Sequence, residues 1–536
     1  MRMVCQRAGG FALALCMVAC GKSPGTGGAS SDASTSTQKE NAALVQTLAA
    51  ASEQDFEDAK RGLIARPTGR ILAADGGVLR DFAAYDFLQG AAPDTVNPSL
   101  WRHAQLNANI GLFKVMDGVY QLRGFDIANI TLIEGKTGWI VVDALTSRES
   151  AAAAMAFAQE HLGKKPVSGL VLTHAHADHF GGALGVLSQA DAAARKVPIV
   201  APAGFMEEAT SENVLVGTAM GRRSAYQFGR DLPRSAKGNV DTGLGKDVIY
   251  GSIGILTPTW LIYQANQPMQ IDGVDFVFHN VPNAECPAEL SFSIPSKKLY
   301  DGAENLSQTM HNLLPIRGAK VRDALRWATY MEQALEQTRE AEVYIASHHW
   351  PIWGNANIQQ FITMHRDVYK YTHDQTVRLM NAGYTPSEIA DKVQLPKSLS
   401  NFMAVRGHYG DLRHNVKAVY QFYLGFFDGN PAHLNPLAAA DVGKRYVELA
   451  GGADKAIAAA QQAFDKGDLR WAAELLNHVV MADASNQAAK ELLAKSYEQM
   501  GYSAESATWR NAYLSGAQEL RNGPPTKGVS KAGAID

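Results

Sequence analysis

Thr173-His174-Ala175-His176-Ala177-Asp178-His179-Phe180-Gly181-Gly182 is the stretch on which the reading of this chain turns. Three histidines and an aspartate stand so close together that a metal site is expected. Imidazole nitrogen and carboxylate oxygen suit a borderline cation such as zinc, and the two glycines let the backbone turn tightly beside the ligands. The apolar run Gly169-Leu170-Val171-Leu172 just before it reads as a strand, so the motif sits on the loop at that strand's carboxyl end. On such a loop His174 and His176 can reach one cation from the same side, while Asp178 and His179 point to a second position. Two ions are therefore expected. A pair roughly 3.5 to 4 Å apart can hold a bridging hydroxide, because metal binding brings the pKa of water near about 7.

Upstream, Gly118-Val119-Tyr120-Gln121-Leu122, Ile130-Thr131-Leu132-Ile133-Glu134-Gly135 and Gly138-Trp139-Ile140-Val141-Val142-Asp143 read as short strands joined by tight glycine turns. Residues 147–162 are Ala-rich with a helical period and lead into the motif's strand. Such a strand-helix-strand unit belongs to the α/β class and puts its ligands at the carboxyl end of a sheet. This order, meander then helix then H-x-H-x-D-H, resembles the metallo-β-lactamase fold and implies an αβ/βα four-layer sandwich.

Downstream, a helix over 183–194 and a strand over 198–201 precede a long insertion rich in Gly and Arg that spans 217–245. Insertions over the ligand end of a sheet usually shape specificity. A second sheet half follows at 269–271, 274–278, 290–294 and 298–300. A helix over 319–338 then leads to the strand Glu342-Val343-Tyr344-Ile345-Ala346-Ser347, which ends in His348-His349-Trp350-Pro351.

The remaining metal ligands must come from His279, Glu285, Asp301, Glu304, His348 and His349. On spacing alone, His279, Asp301 and either His348 or His349 fit the His, bridging Asp, His plan of common metallo-β-lactamase hydrolases. Other segments narrow the choice. Asn283-Ala284-Glu285, Pro287-Ala288-Glu289, Ala303-Glu304-Asn305, His311-Asn312-Leu313-Leu314, Arg317-Gly318-Ala319-Lys320-Val321-Arg322-Asp323, His348-His349-Trp350-Pro351 and His414-Asn415-Val416-Lys417 together resemble the zinc-dependent alkylsulfatases of that superfamily. The resemblance covers roughly residues 90–515.

It implies two Zn2+ per chain: Glu285 completes the first zinc with His174 and His176, Glu304 bridges, and His349 joins Asp178 and His179 on the second. Asp301 is then left as a structural or ligand-supporting residue. Asn312, Arg317 and Arg322 match the family's sulfate-holding segment, where forked guanidinium donors and an amide suit a sulfate monoester. His311 is expected as the general acid. The implied reaction is cleavage of alkyl sulfates to alcohol and inorganic sulfate. A lactam or thioester hydrolase on the same fold, or a non-catalytic envelope scaffold, are the alternatives.

Composition sets the outer bounds. Fifty basic against 53 acidic residues give a net charge of -3, which offers no surface for nucleic acid. Residues 1–19, with Arg2, Arg7 and the apolar run Phe11-Ala12-Leu13-Ala14-Leu15, read as a bacterial lipoprotein signal that ends before Cys20. Lipid on Cys20 would anchor the protein on the periplasmic face of a membrane, with a soluble periplasmic form as the alternative. Beyond the signal only Cys286 remains unmodified, so no internal disulfide is expected. Residues 20–90 read as tether and N-terminal extension, 91–430 as the catalytic domain with a helical extension, and 521–536 as a disordered tail. Residues 431–520 read as an all-α, tetratricopeptide-like domain, and the family resemblance implies homodimerisation through it.

Overall fold

The meander expected ahead of the metal motif is present, and it continues into a parallel half. The computed structural model describes residues 33–48 and 53–524, which belong to the unit Asp32–Asp536. The expected signal, Cys20 and residues 525–536 lie outside the described residues. In chain order the strands are β1 (Leu63–Ala65), β2 (Arg70–Leu72), β3 (Val78–Asp81), β4 (Gly111–Met116), β5 (Val119–Arg123), β6 (Ile130–Glu134), β7 (Trp139–Val142), β8 (Val167–Val171), β9 (Ile199–Pro202) and β10 (Trp260–Ile262). They continue with β11 (Gln267–Ile271), β12 (Val274–Asn280), β13 (Leu290–Ile294), β14 (Leu299–Asp301), β15 (Val343–Ile345) and β16 (Ile352–Trp353).

One sheet has the order β1-β4-β5-β6-β7-β8-β9-β10 and the other runs β11 to β16 in sequence, while β2 and β3 pair separately. In the first sheet the pairs from β1 to β7 are antiparallel and those from β7 to β10 parallel. Side chains alternate between the faces of each strand. Ile140 and Val142 therefore meet Phe276, Phe278, Phe292 and Ile345 in a core between the sheets. Trp139 and Val141 instead pack with Ala151, Ala154, Met155 and Ala158 of the outer helix Arg148–Leu162. On the far side, Tyr300 and Tyr344 pack beneath the helices Ala324–Gln337 and Asn355–Asn381. Helix, sheet, sheet and helix make the expected four layers.

Local chemistry sets the element boundaries. Ser147 starts its helix through a reciprocal capping box with Ser150, and Gly163 ends it with φ 84°. The helix expected over 183–194 is two pieces, Ala183–Val186 and Gln189–Arg195, because Ser188 caps the second one anew. The helix expected from 319 begins only at Ala324, capped by Asp323. The N-terminal helix Thr35–Leu48 packs on Gln487–Ser503 as well as on the catalytic half, with Asn41 donating to the carbonyls of Asp94 and Tyr502. The C-terminal helices Ala439–Leu449, Ala453–Asp465, Leu469–Ala482, Gln487–Ser503 and Ala507–Asn522 pack largely on one another, Ala439–Leu449 on Leu469–Ala482 and each later one on the next in the chain, as repeat hairpins do. The last of them runs through Arg521 and Asn522, two residues into the segment expected to be a tail.

His365 lies wholly inside the helical layer, with Nδ1 on the carbonyl of Phe361 at 2.9 Å and, among the described residues, no hydrogen-bond partner at Nε2. Burial outweighs the nearby backbone carbonyls and lowers its pKa from 6.5 to about 4. A histidine depressed in the folded state contributes stability above its unfolded pKa and loses it as pH falls toward the folded value. We expect about 2 kcal/mol of unfolding free energy to disappear through this residue between about pH 6.5 and pH 5. Urea titrations at the two pH values should show that much less acid dependence in His365→Gln.

Candidate metal centre

The sheet ends converge on the motif. The Leu290 amide at the start of β13 donates to the Thr173 carbonyl at 2.9 Å, and His174 forms an isolated bridge with Glu289. The loop carrying Glu285 is thereby drawn beside the one carrying the histidines. Among the described residues eight non-glycine residues have left-handed φ, and four of them flank the centre: Asp143, Asn283, Ala303 and His349. Such backbone is disfavoured and persists where the surroundings enforce it, which is common beside active sites.

Two donor groups result, His174 with His176, Glu285 and Glu304, and Asp178 with His179, Glu304 and His348. Glu304 belongs to both. Its Oε2 lies 3.0 Å from His174 Nε2, 3.0 Å from His179 Nε2 and 3.3 Å from His348 Nε2. His176 turns Nδ1 toward Glu285 Oε2 at 3.0 Å, and Asp178 Oδ2 lies 3.2 Å from His179 Nε2.

The hydrogen bonds on the other side of each ring show what these atoms need. His348 Nδ1 faces the Ile127 carbonyl at 3.0 Å, which can only accept. His179 Nδ1 donates to Asp143 at 2.8 Å, and Thr173 Oγ1, whose own proton goes to Asp143, accepts from His174 Nδ1. Each ring in this tautomer presents the Nε2 lone pair to a carboxylate lone pair about 3 Å away. That contact is repulsive unless a proton or a metal cation lies between. All three Nε2 atoms, with Glu285 Oε2 and Glu304 Oε2, are buried without a hydrogen-bond partner. The donor set fits zinc.

Charge is balanced tightly here. Burial alone would raise the Glu304 and Glu285 pKa values, yet His348 beside the first and Arg322 with His176 beside the second hold both low, Glu285 at about 2. Burial disfavours charge on His176 and His179, but Glu285 beside one and Asp178 with Asp143 beside the other pull both well above the usual range. Metal binding at this site therefore releases protons.

Of the residues expected as ligands, the structure brings together His174, His176, Asp178, His179, Glu285 and Glu304 and leaves out His349. The backbone turns left-handed at His349, with φ 65°, and aims its ring elsewhere: Nε2 meets the Gly243 carbonyl at 3.0 Å, and Nδ1 accepts from the Gln308 amide. His348 occupies that corner instead. His279 and Asp301 are outside both groups. His279 is bonded at Nδ1 to Ala265 and Asn266 and at Nε2 to Ser293, and Asp301 accepts from the Ala303 amide.

His311 Nε2 contacts Glu304 Oε1 at 2.9 Å, and its Nδ1 sits between Arg322 Nη1 at 3.1 Å and the Asn312 carbonyl at 3.0 Å. Arg322 also binds Glu285 Oε1 and the Asn312 carbonyl and side chain. Asn312 and Arg322, expected at the sulfate, are thus bonded to each other and, through Arg322, to Glu285 and His311, and neither lines the cleft beside the donor groups. The reason is electrostatic, since Glu285 is the carboxylate nearest to Arg322. Arg317 does line the cleft.

That cleft has about 860 Å³ of free space, part of it open to solvent, with His176, Asp178, Glu285 and Glu304 on its polar side. Ile127, Met220, Phe228, Leu244, Val248 and Ile253 make an apolar wall. The insertion builds much of it. Its helix Gly217–Gln227 puts Gly217, Met220, Gly221 and Ser224 on one face at three- and four-residue spacing. Just before it, the π-helical turn Ser211–Leu215 brings in Glu212 and Asn213.

Three residues with no assigned role emerge as supports. Asp143 binds Thr173, His179 and Ser347 at once, and a strand-end Asp beside the ligand strand was its only signal. Glu289 accepts the amides of Glu285, Cys286 and Glu304, joining the two glutamate loops. Asn415 clamps the His311 segment, donating to the His311 carbonyl and accepting from the Leu313 amide.

The metallo-beta-lactamase superfamily profile matches residues 123–348, and the alkyl sulfatase dimerisation profile matches residues 385–523. The alkyl/aryl-sulfatase BDS1 of Saccharomyces cerevisiae is 46% identical over 495 residues, covering 92% of this chain and 77% of the relative. The chain belongs to the alkylsulfatase family. A linear primary-alkylsulfatase from Pseudomonas sp. is also 46% identical, over 92% of this chain and 73% of its own. Among solved structures, the stereoselective inverting sec-alkylsulfatase Pisa1 from Pseudomonas sp. superposes with a TM-score of 0.91 at 46% identity, covering 93% of this chain and 79% of that one. Membership in the alkylsulfatase family accounts for the sandwich followed by helices in one chain.

Proposed function

We propose that the protein is a binuclear zinc hydrolase that cleaves alkyl sulfate esters to an alcohol and inorganic sulfate. One observation carries this reading: unpartnered imidazole and carboxylate atoms converge on the polar side of a cleft whose other wall is apolar. An amphiphile with one anionic end matches that division. His174, His176 and Glu285 would hold one cation, Asp178, His179 and His348 the other, and Glu304 both. A cation pair supplies Lewis acidity and brings the pKa of water toward neutrality.

The chain's own residues orient and exclude. The apolar wall takes the alkyl chain and leaves water the polar side. Arg317 offers donors to the oxygens of the sulfate ester. His311 turns Nε2 to Glu304 Oε1 while Arg322 and the Asn312 carbonyl fix the ring at Nδ1, which places the imidazole to hand a proton to the departing group. Sulfate release from dodecyl sulfate by the zinc-loaded protein, its loss on chelation and its return with zinc are the expected results. Nitrocefin turnover above sulfate ester turnover would favour a lactam hydrolase.

We also propose that the helical half forms a homodimer. Phe422, Tyr423, Leu424, Leu434, Leu437 and Tyr446 are exposed, Phe426 is 88% exposed and Leu449 82%. So many exposed large apolar side chains within one short stretch of chain mark an interface. Light scattering should give twice the chain mass, and Phe426→Glu with Leu449→Glu should give a monomer. A wild-type monomer would refute the proposal.

A further inference from the structure

Glu212 stands in the cleft without a place in the metal centre. It is buried, its Oε2 accepts from Arg317 Nη1 at 2.9 Å, and it lies 3.6 Å from His176 Nε2. Arg317 Nη1 is further engaged by the Gly318 carbonyl at 3.0 Å. Its Nε and Nη2 hydrogen-bond to nothing among the described residues, so two donors of the fork remain for an oxyanion. An anion seated on those donors has the Glu212 carboxylate across the same guanidinium. A fixed negative charge there repels a dianion twice as strongly as a monoanion.

From this placement we infer that Glu212 sets the charge of the anion that the cleft retains, favouring a monoanionic ester over a dianion. The inference rests on the sulfate-ester reading. In that reaction the ester carries one negative charge and inorganic sulfate two, so Glu212 also drives product release. The same rule disfavours alkyl phosphates, which are dianions above neutral pH. Holding Arg317 in place is a task an amide could perform as well. Repelling a dianion needs the charge.

Calorimetric binding to the zinc-loaded, full-length protein tests this without turnover. Decanesulfonate, whose C–S bond does not hydrolyse, serves as the monoanion, and inorganic sulfate as the dianion. Glu212→Gln, which keeps an acceptor for Arg317, should strengthen sulfate binding about tenfold more than decanesulfonate binding. The inhibition constant of inorganic sulfate against dodecyl sulfate should fall in parallel. Glu212→Asp should keep the wild-type ratio within about threefold, and Glu212→Ala should reproduce the shifted ratio if the glutamine variant does not fold. Equal changes in both affinities on loss of the charge, or the same shift in Glu212→Asp, would overturn the inference. A wild-type protein that releases no sulfate from dodecyl sulfate overturns the functional reading instead, and the binding ratio separates the two failures.

Discussion

Replacing Glu304 by alanine should lower sulfate release from dodecyl sulfate by on the order of a thousandfold and strip metal from the purified protein. The size of the effect follows from one atom. Glu304 Oε2 approaches three imidazole nitrogens within 3.0 to 3.3 Å, and Glu304 is the residue common to both donor groups. Its loss uncouples the two positions and leaves those nitrogens buried around a missing charge. His311 loses its carboxylate as well. Glutamine should fall nearly as far, since the amide keeps shape without charge. Metal analysis beside the sulfate assay reads both consequences. Two zinc equivalents and activity within tenfold of wild type in Glu304→Ala would refute the shared-ligand assignment.

His348→Ala should lose about one equivalent of zinc and, on the order of a thousandfold, the activity, whereas His349→Ala should keep both metals. The neighbours differ in direction. His348 is pinned by the Ile127 carbonyl and directs Nε2 at Glu304 and Asp178, but His349 spends both nitrogens on Gly243 and Gln308. Truncating His349 strands the Gln308 amide and leaves the Gly243 carbonyl with His103 alone, at a cost of about 1 to 3 kcal/mol in stability. A thermal melt and metal content measured on both variants separate the roles. Metal loss in His349→Ala with retention in His348→Ala would reverse the assignment.

Much of the centre was legible because it is local. The motif from His174 to His179 follows one strand and presents its donors within a single loop, so spacing sufficed to predict two metal positions. The repeat-like C-terminal helices were equally readable from their periodicity. Glu285 and Glu304 were reached through resemblance, because spacing left His279 and Asp301 as equal candidates. Asp143, Glu289 and Glu212 carried little or no signal. Asp143 and Glu212 act on residues far along the chain, as when Asp143 binds Ser347 and Glu212 binds Arg317, whereas Glu289 reaches no farther than Glu304.

Sequence alone was enough for the strands and helices, for the four candidate ligands of the opening loop and, through resemblance, for the sandwich and the helical domain, since hydrophobic period and contiguous donors are local properties. Only the fold brings His348 rather than His349 to the candidate metal site, sets Arg322 against Glu285 and puts Glu212 in the cleft with Arg317. Those outcomes depend on a left-handed turn at His349 and on charges brought together from distant segments, and neither is written in spacing along the chain.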